Sequence, residues 1–278
     1  MSATRVLLEG LGFPESTRWH GGRAWLCNWG AGEVLAVTPD GKGEVVTRIS
    51  AEALPFSIDF LPDGRLLVID GPRRLLLRAE PDGTLTTAAD LAGFGADTFN
   101  ELVVDDAGNA YVNGGNGGPG KIVLVRPDGS AREVAAGLQW PNGMAIIDGG
   151  RTLVVADSHA QQLVGFDVAA DGTLSGRRVW AELAHAPDGI CADADGAVWA
   201  ASVPGQHCVR VREGGEVLTT VTVDRGCFAC MLGGDDGRTL FIAAARWRGF
   251  ETAMKEGPGV TGQLLAAPGQ PAPRAGHP

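Results

Sequence analysis

Six stretches of this chain place a short polar or sulfur-bearing side chain at one phase ahead of a turn glycine. They are Glu15 in FPESTRW, Ser57 in PFSIDF, Asn100 in FNELVVD, Asn142 in PNGMAII, Asp188 in PDGICAD, and the run Cys227 to Cys230 in CFACML. Singly, a Glu, Asn or Asp ahead of a turn is most simply a cap or an Asx-turn residue. Jointly they raise another chemistry, because the first five recur at steps of 42 to 46 residues. A repeat with that period would gather two carboxylates, which repel one another unless they are protonated or share a cation. A divalent metal is the simplest relief. Carboxylate and amide oxygens are hard donors suited to Ca²⁺, Mg²⁺ or Mn²⁺. Zn²⁺ also accepts carboxylates while keeping positions open to water.

The elements that would position these residues are legible as a repeat. A Gly or Asp-Gly turn followed by an apolar run recurs as GGRAWLCN, DGRLLVID, AGNAYVNG, GGRTLVVAD, DGAVWAA and DGRTLFIAA, with turn glycines at Gly22, Gly64, Gly108, Gly150, Gly196 and Gly237. A second turn series at Gly41, Gly83, Gly129, Gly172 and Gly214 or Gly215 falls between them. The runs are short, rich in Val, Leu and Ile, and bounded by turn residues, so they read as strands. About four strands in each unit of roughly 40 to 45 residues is propeller spacing. The expectation is all-β: one six-bladed β-propeller domain over residues 1–278 with a central metal site, its alternative a β-sandwich or barrel made from the same strands. Closure needs the first and last strands to share a blade, and TRVLLEG and TGQLLAAPG are suited to it. Residues 268–278, Pro-rich and polar, are expected to lie on a surface or to be flexible.

Composition narrows the partners. With 42 Gly, 16 Pro and 44% apolar residues the 278-residue chain has a core but too much punctuation for a helical fold. Its formal charge of -10 opposes phosphates and anionic lipids, so neither a nucleic-acid nor a membrane partner is expected. The start MSATRVLLEGLGFPE lacks the apolar core of a signal peptide, and a cytoplasmic protein with five reduced cysteines is expected. It would act as a monomer or a small homo-oligomer.

FPESTRW, FNELVVDDAGNAYV, WPNGMAIIDGGRTLVVADSHAQQLVGFDV, PDGICADADGAVWAA and GGDDGRTLFIAAA together, in this order and spacing, resemble the SMP-30/gluconolactonase family over most of the chain. The resemblance implies a six-bladed propeller and a metal-dependent lactonase or esterase acting on a small-molecule lactone or ester. Carried over residue by residue, it implies metal ligands at Glu15, Asn142 and Asp188, with Asn100 a further inner ligand or a substrate-binding group. The implied cofactor is one divalent ion, Ca²⁺ first, with Zn²⁺, Mn²⁺, Mg²⁺ and Fe²⁺ as alternatives. Asp188 and Asn100 are the implied catalytic residues, Asp188 as general base. A carboxylate bound to a cation is a weaker proton acceptor, so an outer oxygen of Asp188 or an unbound neighbour is an alternative base.

One departure bears on the substrate. Sugar-lactone members of the family commonly carry an arginine two residues before the Asn of blade three, and Thr98 stands there. Phe56, Phe99, Trp140, Cys227, Phe228 and Met231 lie near the inner-strand starts, which suggests a less polar pocket than an aldonolactone needs. The expected substrate-binding set is Asn100, Thr98, Trp140, Phe56 and Phe228, for a hydrophobic rather than a sugar lactone. Glu101, as the strand neighbour of Asn100, is expected to point away from it into a structural role. Asp157 and His159 end a blade-four strand from which they could reach the pocket rim, with a surface-loop position the simpler reading of His159. Cys227 and Cys230 form a lone CxxC, read as small apolar residues of blade six or as a redox or zinc pair. Two other readings stay open: different hydrolase or lyase chemistry on the same metal site, phosphotriesterase-like for example, and a noncatalytic binding propeller.

Overall fold

The computed structural model describes residues 4–50, 54–115, 118–249, 252 and 259–275. Among them, 24 strands form six four-stranded antiparallel sheets. In five sheets the strands follow chain order; the sixth runs Arg5–Leu11, Gly262–Ala267, Thr239–Ala245, Gly226–Gly233, so the two ends of the chain close one blade as expected. The first strands of successive blades are Pro14–His20, Phe56–Phe60, Phe99–Val104, Pro141–Ile147, Ile190–Ala192 and Gly226–Gly233. Each packs against the next, and the last returns to the first, which makes them the inner ring around an axis.

The core is divided among six apolar clusters, one between each pair of neighbouring blades. Period-2 alternation on Val, Leu and Ile strands buries both sheet faces against adjacent blades. Cys191, Cys208, Cys227 and Cys230 lie together in the cluster between blades five and six, fully buried, so the CxxC packs as small apolar residues.

Where the inner strands start, the blades meet backbone to backbone. Gly143 N donates to Asp188 O (3.1 Å) and Gly189 N donates to Phe228 O (2.8 Å). A Cβ on Gly143 would stand 2.5 Å from Ile190 N, and one on Gly189 would stand 2.6 Å from Ala229 Cα. The glycine after Asn142 and after Asp188 therefore permits the approach that brings those two side chains to the axis. The C-terminal segment crosses the opposite face, where Ala194 N donates to Pro273 O and Arg274 N donates to Gly237 O. Residues 276–278 of the expected tail lie outside the described residues.

Candidate active site

Four inner strands contain β-bulges, and they fall on the residues singled out by chemistry. The pairing register shifts between Glu15 and Arg18, between Phe99 and Glu101, between Pro141 and Met144, and between Cys227 and Ala229. A bulge leaves one residue unpaired and re-aims its side chain. Asn100, Asn142 and Phe228 thus leave the regular in-and-out alternation, and with Glu15, which pairs with Cys27 just ahead of the bulge at Ser16 and Thr17, they line a single axial cavity of about 720 Å³. Asp188 reaches it from just ahead of Ile190–Ala192, and all six blades contribute to the lining. Thr98 and Trp140 line it as well.

Phe56 does not. Its strand pairs with Leu66–Asp70 in unbroken register, so alternation holds and sends Phe56 with Ile58 and Phe60 into the core between blades one and two. Phe56 is 1% exposed, and its contribution to the site is a backbone carbonyl that accepts from Trp29 Nε1. Phe99 and Met231 are likewise core residues. Phe13 and Trp247, by contrast, line the cavity from segments outside the inner strands. Phe13 opens the FPESTRW motif, immediately before the strand Pro14–His20, a signal available in the sequence; Trp247 follows the last turn-glycine strand, Thr239–Ala245, and carried none.

The floor of the cavity is acidic and tightly held. Ser16 N donates to Glu15 Oε2 (2.8 Å), and Asn100 Nδ2 donates to Asn142 Oδ1 (3.0 Å). Burial pushes the Glu15 carboxyl well above the usual carboxylate range, and the charges of Asp188 and Glu101 push it further. Burial also raises Asp188, with Glu101 and Cys230 adding to it. Asp188 Oδ1 is buried without a hydrogen-bond partner. Two mutually repelling carboxylates, one with an orphaned oxygen, beside an amide carbonyl that keeps a second lone pair, are a donor set that fits a hard divalent cation.

Beneath this floor lies a second ionic layer. Arg18 is 6% exposed and contacts Glu101 (3.0 Å) and Asp59 (3.5 Å), while its NH2 group also donates to Leu102 O (2.7 Å). Glu101 therefore has the structural role expected of it. Ser16, at φ +52°, joins the two layers: its hydroxyl donates to Glu101 Oε1 (3.4 Å) and accepts from Ile58 N (3.0 Å). Removing one partner of a buried ion pair leaves the other charge uncompensated. Arg18→Met is expected to cost about 3–5 kcal/mol in urea unfolding, with part recovered in Arg18→Met/Glu101→Gln. No recovery in the double variant would mean that Arg18 acts through packing.

Trp140 stacks on His159 at 4.8 Å, and both line the cavity, so His159 takes the rim position rather than that of a plain surface-loop residue. Asp157 is fully buried and accepts from Gln139 N, which gives it a turn-holding role. No helix among the described residues is long and apolar enough to cross a membrane.

Residues 13–246 match the SMP-30/gluconolactonase/LRE-like region. The chain belongs to the SMP-30/gluconolactonase/LRE-like family. Within that family it is 25% identical over 243 residues to regucalcin of Sus scrofa, covering 80% of this chain and 76% of that protein. The fold superposes with a TM-score of 0.79 on a gluconolactonase of Xanthomonas campestris, 22% identical, over 96% of this chain and 89% of that one. It superposes with a TM-score of 0.80 on regucalcin of Agrobacterium tumefaciens, described as a calcium-binding protein, 21% identical, over 100% of this chain and 97% of that one.

Proposed function

We propose that this chain is a metal-dependent hydrolase that opens a hydrophobic lactone or a related ester in the axial cavity. The observation that carries the reading is the floor: Glu15, Asn142 and an Asp188 with an orphaned buried oxygen converge below an apolar wall. A scaffold propeller has no reason to assemble charges that destabilise one another when no ion is bound. Glu15, Asn142 and Asp188 are the residues that would hold the ion, and their hard oxygen donors would favour Ca²⁺. This agrees with the calcium-binding description of the A. tumefaciens protein. The ion, when bound, supplies Lewis-acid polarisation of the substrate carbonyl.

The chain's own groups supply the rest. The Asn100 amide lies on the same floor and orients a substrate oxygen. Asp188, which lines the cavity, is the group that would accept the proton of the attacking water. The wall of Phe13, Trp29, Trp140, Pro187, Phe228 and Trp247 excludes water and holds the substrate's apolar part.

Thr98 faces this cavity half-buried, and no Lys or Arg lines it among the described residues. A largely apolar wall favours a hydrophobic lactone over gluconolactone, because a site that rewards hydroxyls must offer partners for them. The test compares kcat/KM, by proton release, for gluconolactone and an alkyl-substituted γ- or δ-lactone, in wild type and Thr98→Arg. Wild type is expected to favour the alkyl lactone, and Thr98→Arg to shift the ratio toward gluconolactone. A wild-type preference for gluconolactone of about tenfold or more would overturn the hydrophobic reading.

A further inference from the structure

Two aromatic residues flank the cavity in equivalent places on opposite blades. Phe13 stands two residues before Glu15 in Phe-Pro-Glu of blade one, and Trp140 stands two before Asn142 in Trp-Pro-Asn of blade four. In a six-bladed ring, blades one and four face each other across the axis. Both residues hold φ +67° and both line the cavity. Left-handed backbone is an outlier for a bulky aromatic side chain, and such strain persists where the surrounding structure holds it, often at ligand sites. In the other four blades the matching position is Pro55, Thr98, Ala186 or Arg225, so the aromatic pair belongs to this axis alone.

Each of the two rings is backed by a second layer. Phe13 stacks on Trp29 (5.2 Å, 20°) and meets Phe228 (4.5 Å) and Trp247 (5.3 Å); Trp140 is backed by His159. These contacts fix ring orientation before a ligand arrives, which lowers the ordering cost of binding. Ring faces carry a quadrupole that rewards another ring over an aliphatic group of equal area.

We infer that Phe13 and Trp140 are specificity-determining residues that select a neutral substrate bearing an aromatic ring, which they take between blades one and four. The inference rests on the hydrolase reading for the reaction, though not for the binding preference. Neutrality follows from the wall, which among the described residues offers no Lys or Arg to an anionic group.

The test separates the two readings. Turnover is measured for γ-phenyl- and γ-cyclohexyl-γ-butyrolactone, and calorimetric binding for the two corresponding γ-lactams, which resist hydrolysis. Wild type is expected to favour the phenyl member of each pair by about two- to tenfold. Phe13→Asn and Trp140→Asn remove a ring while tolerating the left-handed backbone, so both are expected to fold. In both variants the phenyl-to-cyclohexyl ratio should fall toward one, whatever the absolute rate. A phenyl preference among the lactams without turnover of either lactone would uphold the aromatic site and sink the hydrolase reading. Lactone turnover with a ratio near one in wild type would overturn the aromatic inference and leave the hydrolase standing. Binding of neither lactam, or a preference that survives in both variants, would overturn it as well.

Discussion

Stripping the divalent ion with EDTA is expected to abolish lactone hydrolysis and to lower the melting temperature, with both restored by Ca²⁺. An ion bound only by the folded state stabilises it by about 2.7 kcal/mol at a hundredfold excess over Kd, on the order of 5 °C for a domain of this size. Removal also exposes the Glu15 and Asp188 carboxylates to each other. In the metal-free chain both carboxyls are raised above their ordinary range, chiefly by burial. Between the ordinary and the raised value the folded chain binds more protons than the unfolded one, so stability falls as pH rises through that window. The metal-free protein should therefore gain stability on mild acidification from neutral. The calcium-loaded protein should lose it, because protons compete with the ion for the same oxygens. Melting curves across pH, with EDTA and with Ca²⁺, check the two opposite slopes. Parallel slopes, or full activity in metal-free protein, would remove the metal from the mechanism.

The second large effect separates ligand from base. Glu15→Gln should weaken metal affinity and recover much of its turnover at saturating Ca²⁺, since Glu15 is assigned only to the ion. Asp188→Asn should stay low under the same conditions, with kcat down by about 10²–10⁴, the usual worth of a positioned acid or base. Its stability should change in opposite directions in the two states. Relieved of repulsion with Glu15, the metal-free variant should melt higher than metal-free wild type, while the Ca²⁺ increment should shrink. Equal turnover of the two variants at saturating metal would leave Asp188 as a ligand alone and direct the search for a base to another cavity group.

Legibility in the sequence followed the physics of repetition. The turn glycines Gly22 to Gly237 set the blade period, and that period placed Glu15, Asn100, Asn142 and Asp188 at equivalent positions around one axis, because a closed ring of equivalent units superposes equivalent positions. Closure through Arg5–Leu11 and Gly262–Ala267 was equally legible, since unpaired edges must be covered. Tertiary structure decided what depends on departures from that regularity. Phe56 and Phe228 look alike beside an inner-strand start, yet an unbroken register buries the first and a bulge turns the second into the cavity. Trp247, outside the repeat phase, is recruited to the wall only by the path of its own segment. The Arg18, Asp59 and Glu101 layer joins residues from three blades that no local pattern links. Periodicity fixes which residues are equivalent; where a bulge breaks the alternation, and which charges then meet in the buried axis, is settled by how neighbouring blades pack.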